Sequence, residues 1–368
     1  MNRETISANQ IMSIVASSLI GVSILALPSS VARVAGPDGW ISFLLAWAGS
    51  MAALYLVVAL ARRFPGESLL QYSIHILGRP AGTAATFLFG VVELVSSALV
   101  TRVFSEAVVS AVLPEAPHEV ICAAMTALVA YLSLQRVRVF ARVHELFLVP
   151  ILVTFGLFIL SVYQNAYLAN ITPVLARGAG PVLAGVARTS LAFQGFEIML
   201  LFFAYAANPG EIARSSLLGL SLAGVLYVTA IAGVTAVFGP EHLKSLQWPM
   251  LEAIRIVGAS PGVGFERIES LFMTVWMIAA FTSAGALGYA GIRALSDAIG
   301  WQDATLSVPV FSPVLYAISL APSNLFSVLD ASSLSGQVAI VYTVLLTITL
   351  LGVAVIRRRR GDSGARTR

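Results

Sequence analysis

The chain has 368 residues, of which 58% are hydrophobic and 11% charged, with a mean hydropathy of +0.88. Apolar side chains in that proportion cannot be hidden in one soluble core, so the composition excludes a soluble globular domain and indicates a polytopic membrane protein. The net charge of +4 does not point to nucleic acid, because the basic residues sit singly or in short groups between apolar runs, where membrane topology accounts for them.

Apolar runs of about 20 residues fit bilayer-crossing helices, whereas a membrane strand needs only about 10 and alternates. Ten spans are expected, at about 10–33, 39–61, 80–112, 118–134, 145–165, 183–206, 213–238, 266–294, 305–322 and 334–356. The first run is too long for the apolar core of a cleaved signal peptide, so none is expected. With both termini in the cytoplasm, the inner segments hold Arg3, Arg62, Arg63, Arg79, Arg136, Arg138, Arg142, Arg214, Arg293, Arg357 to Arg360, Arg366 and Arg368. The outer ones hold Arg33, Arg177, Arg188, Lys244, Arg255 and Arg267, a bias that favours this orientation.

Between the second and third spans, Leu69, Leu70, Ile74 and Leu77 recur at helical spacing, which predicts a short helix at the cytoplasmic interface. In the long outer connection at 239–265, Trp248, Met250, Leu251, Glu252 and Ile254 predict a surface helix that covers the mouth of a site or docks a partner. The basic run Arg357 to Arg360 reads as a topology anchor, with anionic lipid as a secondary partner. The single cysteine, Cys122, allows no intramolecular disulfide.

Glycine weakens a helix, and Gly21 and Gly195 fall inside bilayer-length runs, in the first and sixth spans. Ten spans divide into two sets of five, residues 1–165 and 166–368, each with its break in its first helix. This placement points to a five-plus-five inverted repeat with a ligand site at the two breaks. The unwound backbone at Gly21, Val22 and Ser23 frees N–H groups for a carboxylate, and Ser23 adds a hydroxyl. Opposite stand Phe193, Gly195, Phe196 and Glu197.

Glu93 and Glu197 are the acidic residues nearest mid-membrane, and such a carboxylate carries a proton, faces the amino group of a ligand or pairs structurally. Ser96 and Ser97 lie one turn from Glu93. Arg102 and Glu106, four residues apart, are expected to pair with each other. The adjacent hydroxyls of Thr282 and Ser283, with backbone oxygens at Ala279, Ser17 and Ile20, form a candidate Na⁺ site, although such hydroxyls also bond to their own helix. His75, His118, His144 and His242 read as loop or span-end residues. With no nucleophile–base pair, phosphate loop or zinc spacing, an enzyme and a bound organic cofactor are not expected.

The segments Gly21-Val-Ser-Ile-Leu-Ala-Leu-Pro (21–28) and Phe193-Gln-Gly-Phe-Glu (193–197) resemble the broken first and sixth helices of the amino acid–polyamine–organocation transporters, whose fold is the LeuT-like inverted repeat. Residues 38–46, the loop Leu60-Ala-Arg-Arg-Phe-Pro-Gly-Glu-Ser-Leu (60–69), Gln71-Tyr-Ser (71–73), Ile76-Leu-Gly-Arg (76–79) and 114–121 are similar to the B subunits of bacterial spore germinant receptors. Phe140-Ala-Arg-Val-His-Glu (140–145), Asn208-Pro, Phe238-Gly-Pro-Glu (238–241) and Gln247-Trp-Pro-Met-Leu-Glu (247–252) extend the likeness.

The resemblance implies a subunit in the inner membrane of a spore that binds a nutrient germinant, typically an amino acid, and acts with an A subunit and a lipoprotein C subunit. It also implies that Thr282 and Ser283 sit where sodium-coupled relatives hold their ion. Proton-coupled amino acid transporters of this fold carry a lysine in the fifth helix, and residues 145–163 contain none. The alternatives are a working Na⁺- or H⁺-coupled amino acid transporter and a scaffold or channel subunit without a ligand of its own.

Overall fold

A computed structural model describes residues 4–258, 268–301 and 303–357. Arg3, Pro261, Phe265, Arg267 and the basic run beyond Arg357 lie outside the described residues. Every regular element among the described residues is a helix, apart from one strand-like pairing of Ile6 with Ala206.

The helices, in chain order, are α1 (Ala8–Leu19), α2 (Ser23–Ala35), α3 (Gly39–Arg63), α4 (Leu69–Leu77), α5 (Arg79–Ala111), α6 (His118–Ser133), α7 (Val137–Val162), α8 (Ala179–Arg188), α9 (Ser190–Phe193), α10 (Met199–Phe202), α11 (Ile212–Phe238), α12 (Pro240–Leu243), α13 (Pro249–Gly258), α14 (Ile268–Ile299), α15 (Ala304–Leu320) and α16 (Leu325–Ile356).

Among the described residues, six stretches are long and apolar enough to cross a membrane: Ser23–Arg63, Arg79–Ala111, Val137–Asn165, Ile212–Phe238, Glu269–Ile299 and Leu325–Ile356. The pair Ala179–Arg188 and Ser190–Tyr205 adds a seventh if it is one span bent by 51°. His118–Ser133 and Ala304–Leu320 are apolar but shorter. The chain is therefore an all-helical integral membrane protein. Buried aromatic side chains including Trp276, Tyr227, Tyr289, Phe43 and Phe193 fill its interior. Leu146, Val149, Leu157 and Leu160 on α7 remain exposed, as side chains facing lipid tails do.

α5 and α14 pack against each other more extensively than any other pair. Around them stand α6, α15, α16 and the segmented helices α1–α2 and α8–α10. Two connections differ from their expected detail. The short helix α4 forms, closed by a reciprocal cap between Ser68 and Gln71. However, its buried face is Leu69, Tyr72, Ser73 and Ile76, packed against the bundle, while Leu70, Ile74 and Leu77 of the expected stripe are half-buried. Tyr72 fixes that rotation by donating to the Leu200 carbonyl at 2.9 Å. The outer helix α13 also forms and packs on α2, α11, α14 and α7, with Met250, Leu251, Ala253, Ile254 and Val257 buried.

Candidate binding site at two helix breaks

The first break lies between Leu19 and Ser23, and the second at Gln194 and Gly195, between α9 and a single 3-10 turn at Phe196–Ile198. Gly195 has φ of +131°, a backbone conformation that side chains resist. Its missing Cβ would stand 2.9 Å from the Ser18 carbonyl oxygen. A Cβ on Gly21 would stand 2.7 Å from the Ser283 side chain. Both breaks thus permit close approach, Gly195 to α1 and Gly21 to α14. Ser18 joins them directly, its hydroxyl 3.3 Å from the Gly195 carbonyl.

The first break is stitched by Tyr227 of α11. Its hydroxyl donates to the Leu19 carbonyl at 3.0 Å and accepts from Ser23 Oγ at 2.6 Å. Tyr227 packs on Phe43 at 5.7 Å, and Phe43 stacks on Phe193 at 4.8 Å. An aromatic row therefore runs from one break to the other. Val22 caps the start of α2 without a side-chain hydrogen bond, leaving the first-turn N–H groups uncapped by any side chain.

A cavity of about 270 Å³ reaches the first break. Val22, Ser23, Ala26 and Leu27 of α2 form one wall. Val103 of α5, Arg188 and Leu191 before the second break, and Leu329, Asp330 and Ser333 of α16 form the others, with Arg33 also on the lining. Of the residues expected to bind a ligand, Val22 and Ser23 line this cavity.

Gly21, Glu93, Ser97, Phe193, Gly195, Phe196 and Glu197 do not line it. Phe193 instead faces a separate groove between α3 and α16. Ser97 Oγ donates to the Ala284 carbonyl at 2.7 Å. Phe196 is fully buried at the start of the 3-10 turn. Glu197 Oε1 accepts from the Gly195 N–H at 2.9 Å, so this carboxylate holds the break in shape. Arg102 and Glu106 form the expected pair, at 3.0 Å.

Of the oxygens expected around Na⁺, those of Thr282, Ala279 and Ser17 meet where α1 crosses α14. Thr282 Oγ1 donates to the Ala279 carbonyl at 2.9 Å and reaches the Ser17 carbonyl at 3.3 Å, while Ser283 faces Gly21. The crossing has no carboxylate among these residues.

It does have a residue the sequence reading misplaced. His144 is not at a span end but in the first third of α7, fully buried, with Nδ1 2.6 Å from Ser17 Oγ. Ser17 Oγ also lies 2.6 Å from the Ser13 carbonyl, and His144 Nε2 is left without a partner. The helix begins at Val137 rather than near residue 145 because Arg138, Arg142 and Glu145 fall on its exposed side. The spacing of Val137, Phe140, Ala141, His144, Leu148, Ile151 and Phe155 carries that signal. Every one of these residues is buried.

Comparison with known proteins follows the same line. A family model described as spore germination protein matches residues 5–328. The chain is 27% identical over 358 residues to spore germination protein YndE of Bacillus subtilis, covering 96% of this chain and 97% of that one. It is 28% identical over 354 residues to spore germination protein A2 of the same organism, covering 95% of each. Spore germination protein GerQB of Bacillus cereus is 22% identical over 344 residues, covering 93% and 94%.

Proposed function

The chain belongs to the spore germination protein family, and from that membership we propose that it is the nutrient-binding subunit of a germinant receptor, with an amino acid as its germinant. The observation that carries this reading is the cavity that reaches the Val22–Ser23 break and is lined by Arg33 and Arg188 as well as by Asp330. An α-amino acid presents a carboxylate and an ammonium together. Guanidinium groups and the uncapped start of α2 suit the first, and Asp330 suits the second.

Binding closes the cavity, and a ligand that prefers the closed form biases the receptor toward it. The full arrangement is ten spans in a LeuT-like five-plus-five repeat, residues 1–165 and 166–368. Both termini are cytoplasmic, in the inner membrane of a spore, and A and C subunits receive the signal. The two segmented helices support the repeat.

The test is thermal unfolding of the full chain in lipid nanodiscs against amino acids, sugars and nucleosides. One or a few amino acids should raise the midpoint, and Arg188→Ala or Asp330→Asn should weaken that response at least tenfold in ligand concentration. No response to any amino acid overturns the reading. The segmented helices equally favour an ion-coupled amino acid transporter. Uptake of the stabilising amino acid into proteoliposomes, driven by a Na⁺ or H⁺ gradient, establishes transport in place of reception.

A further inference from the structure

Glu93 and Glu197 take no part in the cavity, and their burial raises a separate chemical question. Both are fully buried, and their charges are close enough to interact. Among the described residues no basic side chain is paired with either. Both oxygens of Glu93 and Oε2 of Glu197 have no hydrogen-bond partner, whereas Glu197 Oε1 is held by the Gly195 N–H.

A fourth oxygen joins them. Gln194, 3% exposed, points its amide nitrogen at Ser96 and at Ser335 Oγ, 3.5 Å away, which leaves its Oε1 buried and unpartnered. Ser96 is one turn from Glu93 on α5, and Gln194 lies three residues before Glu197. The anchored amide therefore stands at the same junction of α5 with the second break.

Two buried carboxyls with no basic partner cannot both stay charged in a lipid-embedded core, so the pair keeps one proton, and the hard oxygens left without donors are what one singly charged hard cation completes. We propose that Glu93, Glu197 and Gln194 bind a monovalent alkali-metal cation at the second helix break. Ca²⁺ takes six to eight oxygens, and Mg²⁺ an octahedral shell that usually keeps several waters. The single negative charge that the protonated pair retains matches a monovalent ion rather than either of these.

The ammonium of a bound germinant is not the ion concerned. Ten residues of α5 separate Glu93 from Val103 on the cavity wall, roughly 15 Å at the helical rise. The α1–α14 crossing is also the poorer cation site, since Thr282 is already bonded to Ala279 and none of its oxygens is formally charged. The inference does not rest on the identity of the germinant.

Unfolding of the full chain in nanodiscs, at constant ionic strength in NaCl, KCl or choline chloride and without any amino acid, tests it. A saturable rise of the midpoint in Na⁺ or K⁺ over choline is expected. It should be lost in Glu93→Gln/Glu197→Gln, reduced in Gln194→Leu and retained in Thr282→Val. Equal midpoints in all three salts overturn the proposal, as does a cation response that survives the double glutamine change. A response to Mg²⁺ or Ca²⁺ alone overturns the assigned ion class. The comparison of salts on the unaltered protein decides the question even if the double variant fails to fold.

Discussion

Single polar side chains hold the two breaks open. Tyr227 is the clearest, because one hydroxyl bridges the last carbonyl of α1 and the first serine of α2. Replacing it by phenylalanine keeps the ring on Phe43 and removes only those bonds, leaving the Leu19 carbonyl without its Tyr227 donor. The cost expected is about 1–3 kcal/mol. It would be read as a lower unfolding midpoint in nanodiscs together with a changed amino acid response. A Tyr227→Phe protein with unaltered midpoint and response would show that the stitch is idle.

Residues of this kind were the hardest to see in the sequence. Gly21 and Gly195 stand out because glycine interrupts an apolar run, but Tyr227, Gln194 and His144 are lone polar groups whose partners are 208, 98 and 127 residues away. Local pattern carries no information about such a partner. His144 alone left a trace, its place on a helical stripe of buried residues.

At the scale of elements, the breaks are coupled rather than separate. Ser18 contacts Gly195, and the row Tyr227–Phe43–Phe193 spans the same gap. Gly195→Ala is expected to be costly, about 1–3 kcal/mol or more, because it combines an unfavourable backbone conformation with a methyl group 2.9 Å from a backbone oxygen. Gly156→Ala in α7 is the control. Nothing lies within 4 Å of the added methyl, and alanine favours the helix by up to about 1 kcal/mol. Unfolding midpoints that fall for the first and hold or rise for the second are the expected pair, and equal midpoints would deny Gly195 its special role.

Helix existence was readable from apolar length and turn residues, since each expected run falls on one helix or one segmented series, although among the described residues six stretches, or seven with the bent pair, are long and apolar enough to cross a membrane. The rotation of α4 was not, because the tyrosine that sets it bonds a carbonyl of α10, remote in the chain.

At the scale of the whole molecule, orientation can be read by chemistry. The native cysteine is buried in α6, so it gives a quiet background for single introduced thiols. In oriented membranes Ser245→Cys, in the connection after α12, should react with a membrane-impermeant maleimide from outside. Ser68→Cys, before α4, should react only after permeabilisation. The reverse pattern would invert the proposed topology.

The strand-like pairing at Ile6 has a mechanical consequence on this scale. The Ile6 N–H donates to the Tyr205 carbonyl at 2.8 Å and the Ala207 N–H to the Ile6 carbonyl at 3.0 Å. The start of the first segmented helix is thereby riveted to the end of the second. Two levers fastened at one tip can spread only at the other, so movement that begins at the cavity turns about this rivet.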